Sequence, residues 1–233
     1  MIVSGLQKLT LLDYPGKVAC TVFTGGCNFR CPFCHNASLV MNEGDESVAE
    51  EEVLALLKKR KGVLTGLAVT GGEPLLQEGL EDFLRKVKDL GMDVKLDHNG
   101  SFPGRLERII KQGLVDYVAM DIKNCREKYA ATCGLPEEAG PGLLENIDRS
   151  IAVLRSSGIE YEFRTTVVRE LHSKEDIEAM GEWMKGDERF FLQAFVDSGD
   201  IIKPGLSGYS GKELAEMLEI FRKYLPMAQL RGV

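Results

Sequence analysis

Apolar and polar positions along the chain follow two alternating periods. Short runs rich in apolar, β-branched and aromatic residues, such as VACTVFT at 18–24, are separated by longer stretches with apolar residues every three or four positions. The first pattern predicts strands and the second amphipathic helices. Strands are expected at 18–24, 67–70, 93–97, 117–122, 161–168 and 190–196, and helices at 48–60, 80–90, 103–112, 143–156, 174–185 and 212–225. Punctuation agrees with these spans. Ser47 with Glu50 three residues on reads as a capping box, and Ser173 as an N-cap. Gly91, Gly113, Gly158 and Pro226 stand where helices should stop.

This gives six βα units, with the first 17 residues left over as an edge extension. Such alternation predicts parallel strands covered by helices, and no linker, repeat or low-complexity tract divides 1–233, so one domain is expected. Two architectures fit, a doubly wound open sheet and a partial TIM-like barrel. A full barrel needs eight units and about 250 residues, so a six-unit version would be open on one side.

The strand ends bear on the choice. The first runs into a cysteine loop, the second into TGGEP (70–74), the third into LDHNG (96–100) and the fourth into MDIKN (120–124), while the fifth carries Arg164 and the sixth Gln193. Ligands of parallel α/β folds bind beyond the carboxyl ends of the strands. Six furnished ends favour a barrel-like bowl, since an open sheet draws mainly on its switch point.

Composition narrows the classes. Hydrophobic content of 44% and charged content of 28% are those of a globular protein. No apolar run reaches eighteen residues and no signal-peptide pattern opens the chain, so neither a membrane span nor export is expected and the cytoplasm is the default location. A net charge of −7 argues against nonspecific nucleic-acid binding, which needs Lys and Arg on phosphates. The KKRK run at 58–61 closes a helix, where cations complement the helix dipole. Without an export signal the six cysteines do not read as a disulfide framework. Cys20, Cys125 and Cys133 are scattered and read as buried or idle thiols.

The other three crowd into GCNFRCPFCHN (26–36) as Cys27, Cys31 and Cys34. Zinc held by these thiols and His35 is the rival reading, but adjacent residues such as Cys34 and His35 rarely reach two corners of one tetrahedron. Electron-carrier clusters take four cysteines. Three thiolates spaced C-x3-C-x2-C suit three irons of a [4Fe–4S] cube whose fourth iron is open to a small molecule.

With an aromatic before its last cysteine, this loop resembles the radical S-adenosylmethionine (SAM) superfamily. GCNFRCPFCHN followed by TGGEPLLQ is similar to the activating enzymes of glycyl-radical enzymes. LDYPGKVACTVFTGGCNFRCPFCHN, VTGGEPLLQ, VKLDHNG and YVAMDIKN resemble the branch serving anaerobic ribonucleoside-triphosphate reductase. The resemblance spans nearly the whole chain and is most specific at the cysteine loop. It implies a [4Fe–4S] cluster on Cys27, Cys31 and Cys34, with the amine and carboxylate of S-adenosylmethionine on the open iron. It implies reductive cleavage of that cofactor to a 5′-deoxyadenosyl radical, which takes hydrogen from a glycine of the partner. A low-potential donor such as flavodoxin or ferredoxin would supply the electron.

By the same resemblance, backbone near Phe33 borders adenine, and the Gly71–Gly72–Glu73 turn meets the cofactor amine. Asn99, Asp121, Lys123 and Arg164 fall where carboxylate, ribose and periphery are contacted, and Gln193 is a weaker match. The plainer readings are a strand-to-helix turn capped by Glu73 and Pro74, rim salt bridges, and a core hydrogen bond for Gln193. The family reads D-T-N-G where this chain has Asp97–His98–Asn99–Gly100. His98 has no hydroxyl, which leaves open whether the family's monovalent-cation site survives in this chain. His98 reads as a rim residue or as a proton or substrate contact, and His172 as structural. Two further functions stand beside activation of pyruvate formate-lyase: a radical enzyme acting directly on a small molecule or nucleoside, of the deazapurine-synthesis type, and a non-enzymatic metal module.

Overall fold

The first strand forms ahead of the cysteine loop as an edge, and alternating strands and helices follow. The structure is a computed structural model that describes residues 1, 3–41, 47–186 and 189–233. In chain order the elements are β1 (Val3–Thr10), β2 (Ala19–Thr24), α1 (Ala37–Met41), α2 (Glu50–Lys59), β3 (Gly66–Gly71), α3 (Leu80–Asp89), β4 (Asp93–His98) and α4 (Pro103–Lys111). There follow β5 (Tyr117–Asp121), α5 (Tyr129–Thr132), α6 (Gly140–Ser157), β6 (Glu160–Val167), α7 (Lys174–Trp183), β7 (Phe190–Ala194), α8 (Gly211–Arg222) and β8 (Gln229–Arg231). Strand order is chain order. No helix among the described residues is long and apolar enough to cross a membrane.

The chain divides into two compact units. The first comprises 1–28, 38–119 and 148–161. Here β1 lies antiparallel to β2, with Val3 opposite Thr24, and β2, β3 and β4 run parallel. β2 and β3 are near-continuous apolar runs because both faces are covered, whereas β4 reads DVKLDH. Val22, Leu67, Val69, Val94 and Leu96 are fully buried, as are Leu57, Phe83, Leu84 and Leu106 from the helices.

The expected capping box of Ser47 and Glu50 does not form. Val48 is taken by an antiparallel bridge to Val3, its N–H donating to the Val3 carbonyl at 2.8 Å. An extended Val48 cannot also be the first turn of a helix, so α2 starts two residues later, with Ala49 as its cap.

The second unit comprises 29–37, 120–147 and 162–233. In it β6, β7 and β8 are parallel, with Phe163 opposite Phe190 and Leu192 opposite Leu230. Phe190 packs on Phe163 and on Phe221 of α8, at centroid distances of 6.2 and 4.7 Å. The short β8 had no counterpart among the expected strands, since three residues carry no period. A short 3-10 turn and α5 occupy the segment between Cys125 and Cys133. Ser173 caps α7 as expected. Its hydroxyl accepts from Asp176 N at 3.3 Å while the Asp176 carboxylate accepts from Ser173 N at 2.8 Å.

The two serines therefore diverge in consequence. Ser173→Ala is expected to cost about 1 kcal/mol in denaturant unfolding, because a helix donor loses its acceptor. Ser47→Ala is expected to stay within about 0.5 kcal/mol. Equal losses would contradict these cap assignments.

Candidate functional site

In the first unit, the ends of β2, β3 and β4 lie side by side, and the backbone beyond them is packed without room for side chains. Thr24 stands opposite Gly71. Gly72 N donates to Thr24 O at 2.8 Å and Glu73 N to Gly26 O at 2.9 Å. A Cβ on Gly72 would lie 1.8 Å from the Gly26 oxygen, so only glycine allows this approach. Gln77 Nε2 donates to Gly25 O at 2.6 Å, fixing the residue pair that leads into Cys27.

Glu73 is 1% exposed and its carboxylate points inward. One oxygen accepts from Leu75 N at 2.9 Å and the other from Asn99 N at 2.8 Å. The local cap expected from Glu73 and Pro74 is thus present, and it also ties the end of β3 to the end of β4. Arg105 from α4 fastens the same segment, donating to Leu75 O at 2.8 Å and Gln77 O at 2.6 Å while pairing with Glu81.

Asn99 sits in a small polar network. Its Oδ1 accepts from Ser101 N at 3.0 Å and Ser101 Oγ at 2.6 Å, and its Nδ2 donates to Asn28 Oδ1 at 2.9 Å. The same Nδ2 approaches Cys27 Sγ at 3.8 Å. His98 is buried rather than on an exposed rim, and its Nδ1 accepts from Gly100 N at 3.1 Å.

In the second unit, the remainder of the cysteine loop is held by backbone. Cys34 N donates to Cys31 O at 3.0 Å, Lys203 N to Pro32 O at 2.9 Å, and Arg30 N to Cys133 O at 2.8 Å. His35 is stacked on Phe195 at 5.2 Å. Asp121 ends β5 between two cations, Lys123 Nζ at 3.0 Å and Arg164 Nε at 2.9 Å. Burial would raise the Asp121 carboxyl, but Arg164 and Lys123 overcome it and hold the group well below the usual carboxylate range. Burial opposes the charge on Lys123 too, and Asp121 more than offsets it, so the ammonium stays protonated.

Lys123 Nζ lies 5.9 Å from the centroid of the Phe33 ring, and its carbonyl contacts His172 Nε2 at 2.8 Å. Phe33 is buried, with its ring edge-on to His172. A hydrogen bond from Cys133 and the field of Lys123 hold the Cys31 thiol below its ordinary range in spite of burial, whereas burial pushes Cys34 up. Gln193, on β7, is half-buried and makes no side-chain hydrogen bond among the described residues, so the core-bond reading has no partner here.

Gly71, Gly72, Glu73, Asn99 and Cys27 therefore gather in the first unit, and Cys31, Cys34, Phe33, Asp121, Lys123 and Arg164 in the second. Sequence reading missed Asn28 and Ser101, and it read Cys133 only as a buried or idle thiol, which is indeed buried. The first two are ordinary polar residues until their hydrogen bonds are seen, and Cys133 lies about a hundred residues from the loop it meets. Among the described residues no three His, Cys, Asp or Glu side chains already form a metal cage. The donors nevertheless suit a thiolate-held iron group. None of the six cysteines is in a disulfide, Cys27 and Cys34 keep partial exposure, and Lys123 offsets negative charge at Cys31.

The Arg105 brace has a pH signature. Glu81 is held at about 2, chiefly by hydrogen bonds from Arg105. A depressed carboxylate contributes stability above its unfolded value of about 4.3, and loses it as pH falls through the folded value. Glu81→Gln should therefore be less stable than the parent at pH 7, by up to about 1 kcal/mol. The gap should close between about pH 4 and pH 2 in acid-unfolding curves, and a pH-independent gap would contradict the assignment.

Comparison with known proteins places this geometry in a family. Residues 21–184 match the Radical SAM superfamily. A candidate glycyl-radical enzyme activating enzyme of Methanocaldococcus jannaschii is 31% identical over 235 residues, covering 100% of this chain and 96% of the relative. Pyruvate formate-lyase-activating enzyme of Clostridium pasteurianum is 30% identical over 190 residues, 78% of this chain and 76% of that one. Among solved structures, Streptococcus suis SuiB bound to S-adenosylmethionine aligns with a TM-score of 0.65 at 14% identity, covering 90% of this chain and 48% of SuiB. This chain thus spans about half the length of that structure. The likeness carries the fold alone, the α/β partial TIM-like barrel class expected from the sequence. The chain belongs to the radical SAM superfamily and stands within it among the glycyl-radical enzyme activating enzymes.

Proposed function

We propose that this protein activates a glycyl-radical enzyme, anaerobic ribonucleoside-triphosphate reductase, by removing hydrogen from a backbone glycine of that partner. Activation of a glycyl-radical enzyme is supported by the 31% identity with a candidate activating enzyme along 100% of this chain, and the choice of the reductase rests on the motif resemblance of LDYPGKVACTVFTGGCNFRCPFCHN, VTGGEPLLQ, VKLDHNG and YVAMDIKN. As a radical SAM enzyme it uses a [4Fe–4S] cluster and S-adenosylmethionine. When bound, these supply reductive cleavage of a carbon–sulfur bond and the abstraction of hydrogen.

The chain's own residues bind and orient. Cys27, Cys31 and Cys34 are the three cluster ligands, and the loop at 26–36, with no fourth cysteine, leaves one corner for the cofactor's amine and carboxylate. Gly71 and Gly72 present backbone to the amine, and Glu73 keeps that turn in place from behind. Phe33 borders adenine. Asn99, Asp121, Lys123 and Arg164 serve the carboxylate, ribose and periphery, and Gln193 the outer edge. Lys123 is suited to a carboxylate because its charge is secured by Asp121. Flavodoxin or ferredoxin would deliver the electron, in the cytoplasm. The Clostridium pasteurianum relative supports a second reading, in which the partner is pyruvate formate-lyase.

The test is anaerobic reconstitution, reduction, and mixing with S-adenosylmethionine and either enzyme. A protein radical doublet in the EPR spectrum of the reductase is the expected result. A doublet only in pyruvate formate-lyase would transfer the assignment to the second reading. Cofactor cleavage with neither doublet, but with turnover of a small substrate, would overturn activation altogether. Cys34→Ala is expected to abolish cofactor cleavage, and cleavage retained in that variant would remove it from the ligand set.

A further inference from the structure

In β4, polar residues alternate with apolar ones. Val94 and Leu96 are fully buried on one face, and Asp93, Lys95 and Asp97 share the other, because side chains of a strand alternate. Register sets Lys95 beside Ala68 of β3, and Ala68 beside Thr21 of β2, so the lysine has small neighbours. Its side chain is 3% exposed, and a lysine is almost never so buried unless it is paired. The partner is Asp97, two residues on, whose carboxylate binds the Lys95 ammonium directly. The Thr21 hydroxyl is committed elsewhere, donating to Asp13 Oδ2 at 2.5 Å.

The family resemblance implies a monovalent cation near Asp97, the residue after it and Asp121. The residues present do not fit such an ion. Asp97 is engaged by an ammonium, and a metal ion approaching its carboxylate would meet a like charge in a poorly solvated setting. His98 brings no hydroxyl, and its Nδ1 accepts from Gly100 N at 3.1 Å. In the second unit, Asp121 has Lys123 Nζ on one oxygen at 3.0 Å and Arg164 Nε on the other at 2.9 Å. Each position already holds a partner from its own unit.

We propose that the Lys95 ammonium stands in for the family's monovalent metal ion at Asp97, so that this protein requires neither sodium nor potassium there. An ammonium is compact, monovalent and attracted to oxygen, as an alkali-metal ion is. Tethered to its own strand, it does not dissociate, and it keeps a carboxylate paired near the end of β4. Two residues beyond that carboxylate is Asn99, whose N–H donates to Glu73 at 2.8 Å. The inference rests on family membership and not on which partner is activated.

The experiment follows the thermal unfolding midpoint of the reconstituted protein at one ionic strength in sodium, potassium or choline chloride, with no partner enzyme present. An ion that binds the folded state raises the midpoint by mass action, and choline is too large to do so here. The parent should unfold at the same midpoint in all three salts. Lys95→Met, which removes the charge at similar volume, should be less stable in choline and regain several degrees in sodium or potassium. Lys95→Met combined with Asp97→Asn should be indifferent again, since neither charge is left. A parent stabilised by sodium or potassium over choline would overturn the proposal, as would a Lys95→Met variant that responds to no cation. Should that variant not fold, Lys95→Ala, which leaves more room for an ion, is put to the same comparison with the same two outcomes. Failure of both to fold in every salt would also overturn it. Absence of a glycyl radical in either partner enzyme leaves these outcomes unchanged, so the two readings fail separately.

Discussion

Two backbones meeting at Gly72 and Gly26 set the constraint on which the first unit's share of the site depends. The turn after β3 donates to Thr24 and Gly26 through consecutive N–H groups, and the approach is closer than any Cβ allows. Cys27 is the next residue, so its position follows from a contact between main chains, with no side-chain flexibility in it. Glu73 completes the arrangement. A fully desolvated carboxylate is costly unless its oxygens are satisfied, and here two amide donors, one local and one from the end of β4, satisfy them. The glycines give access and the glutamate gives rigidity.

The second unit places charged side chains beside the cysteine loop. Asp121 is flanked by Lys123 and Arg164, and Lys123 also acts on Cys31. At the loop's second cysteine the field of Lys123 favours negatively charged sulfur and that of Asp121 opposes it, the lysine having the larger effect. His172 adds no charge of its own accord. Burial lowers its proton affinity, and its ring nitrogens contact the carbonyl of Lys123 and the backbone of Val168. It serves as a strut under the lysine, in keeping with the structural role read from its place before a helix cap.

Much of this was legible because local and tertiary preferences agree. The six strands and long helices expected from periodicity all form, within a few residues, since apolar runs bounded by glycine and serine have few alternatives. Ser173 and Ser47 show where agreement ends. Both look like N-caps in sequence, yet Val48 is drawn into a bridge with Val3, a contact 45 residues away that no window contains. Glu73 shows a related effect. The family likeness and the plain capping reading both singled it out, and the second describes its carboxylate. Asn28 and Ser101 were invisible because their meaning lies wholly in their partners, and Cys133 was legible only as a buried thiol. His98 was legible only as a departure, and burial shows it serving its own turn.

The central claim is that Cys27, Cys31 and Cys34 hold a [4Fe–4S] cluster with one corner kept for S-adenosylmethionine. The most direct measurement is the EPR spectrum of the reduced, reconstituted protein with and without that cofactor, in the absence of any partner. Ligation at an open corner predicts a changed line shape and g-values on addition. A spectrum unaltered by saturating cofactor, as from a cluster with four protein ligands, would contradict the account.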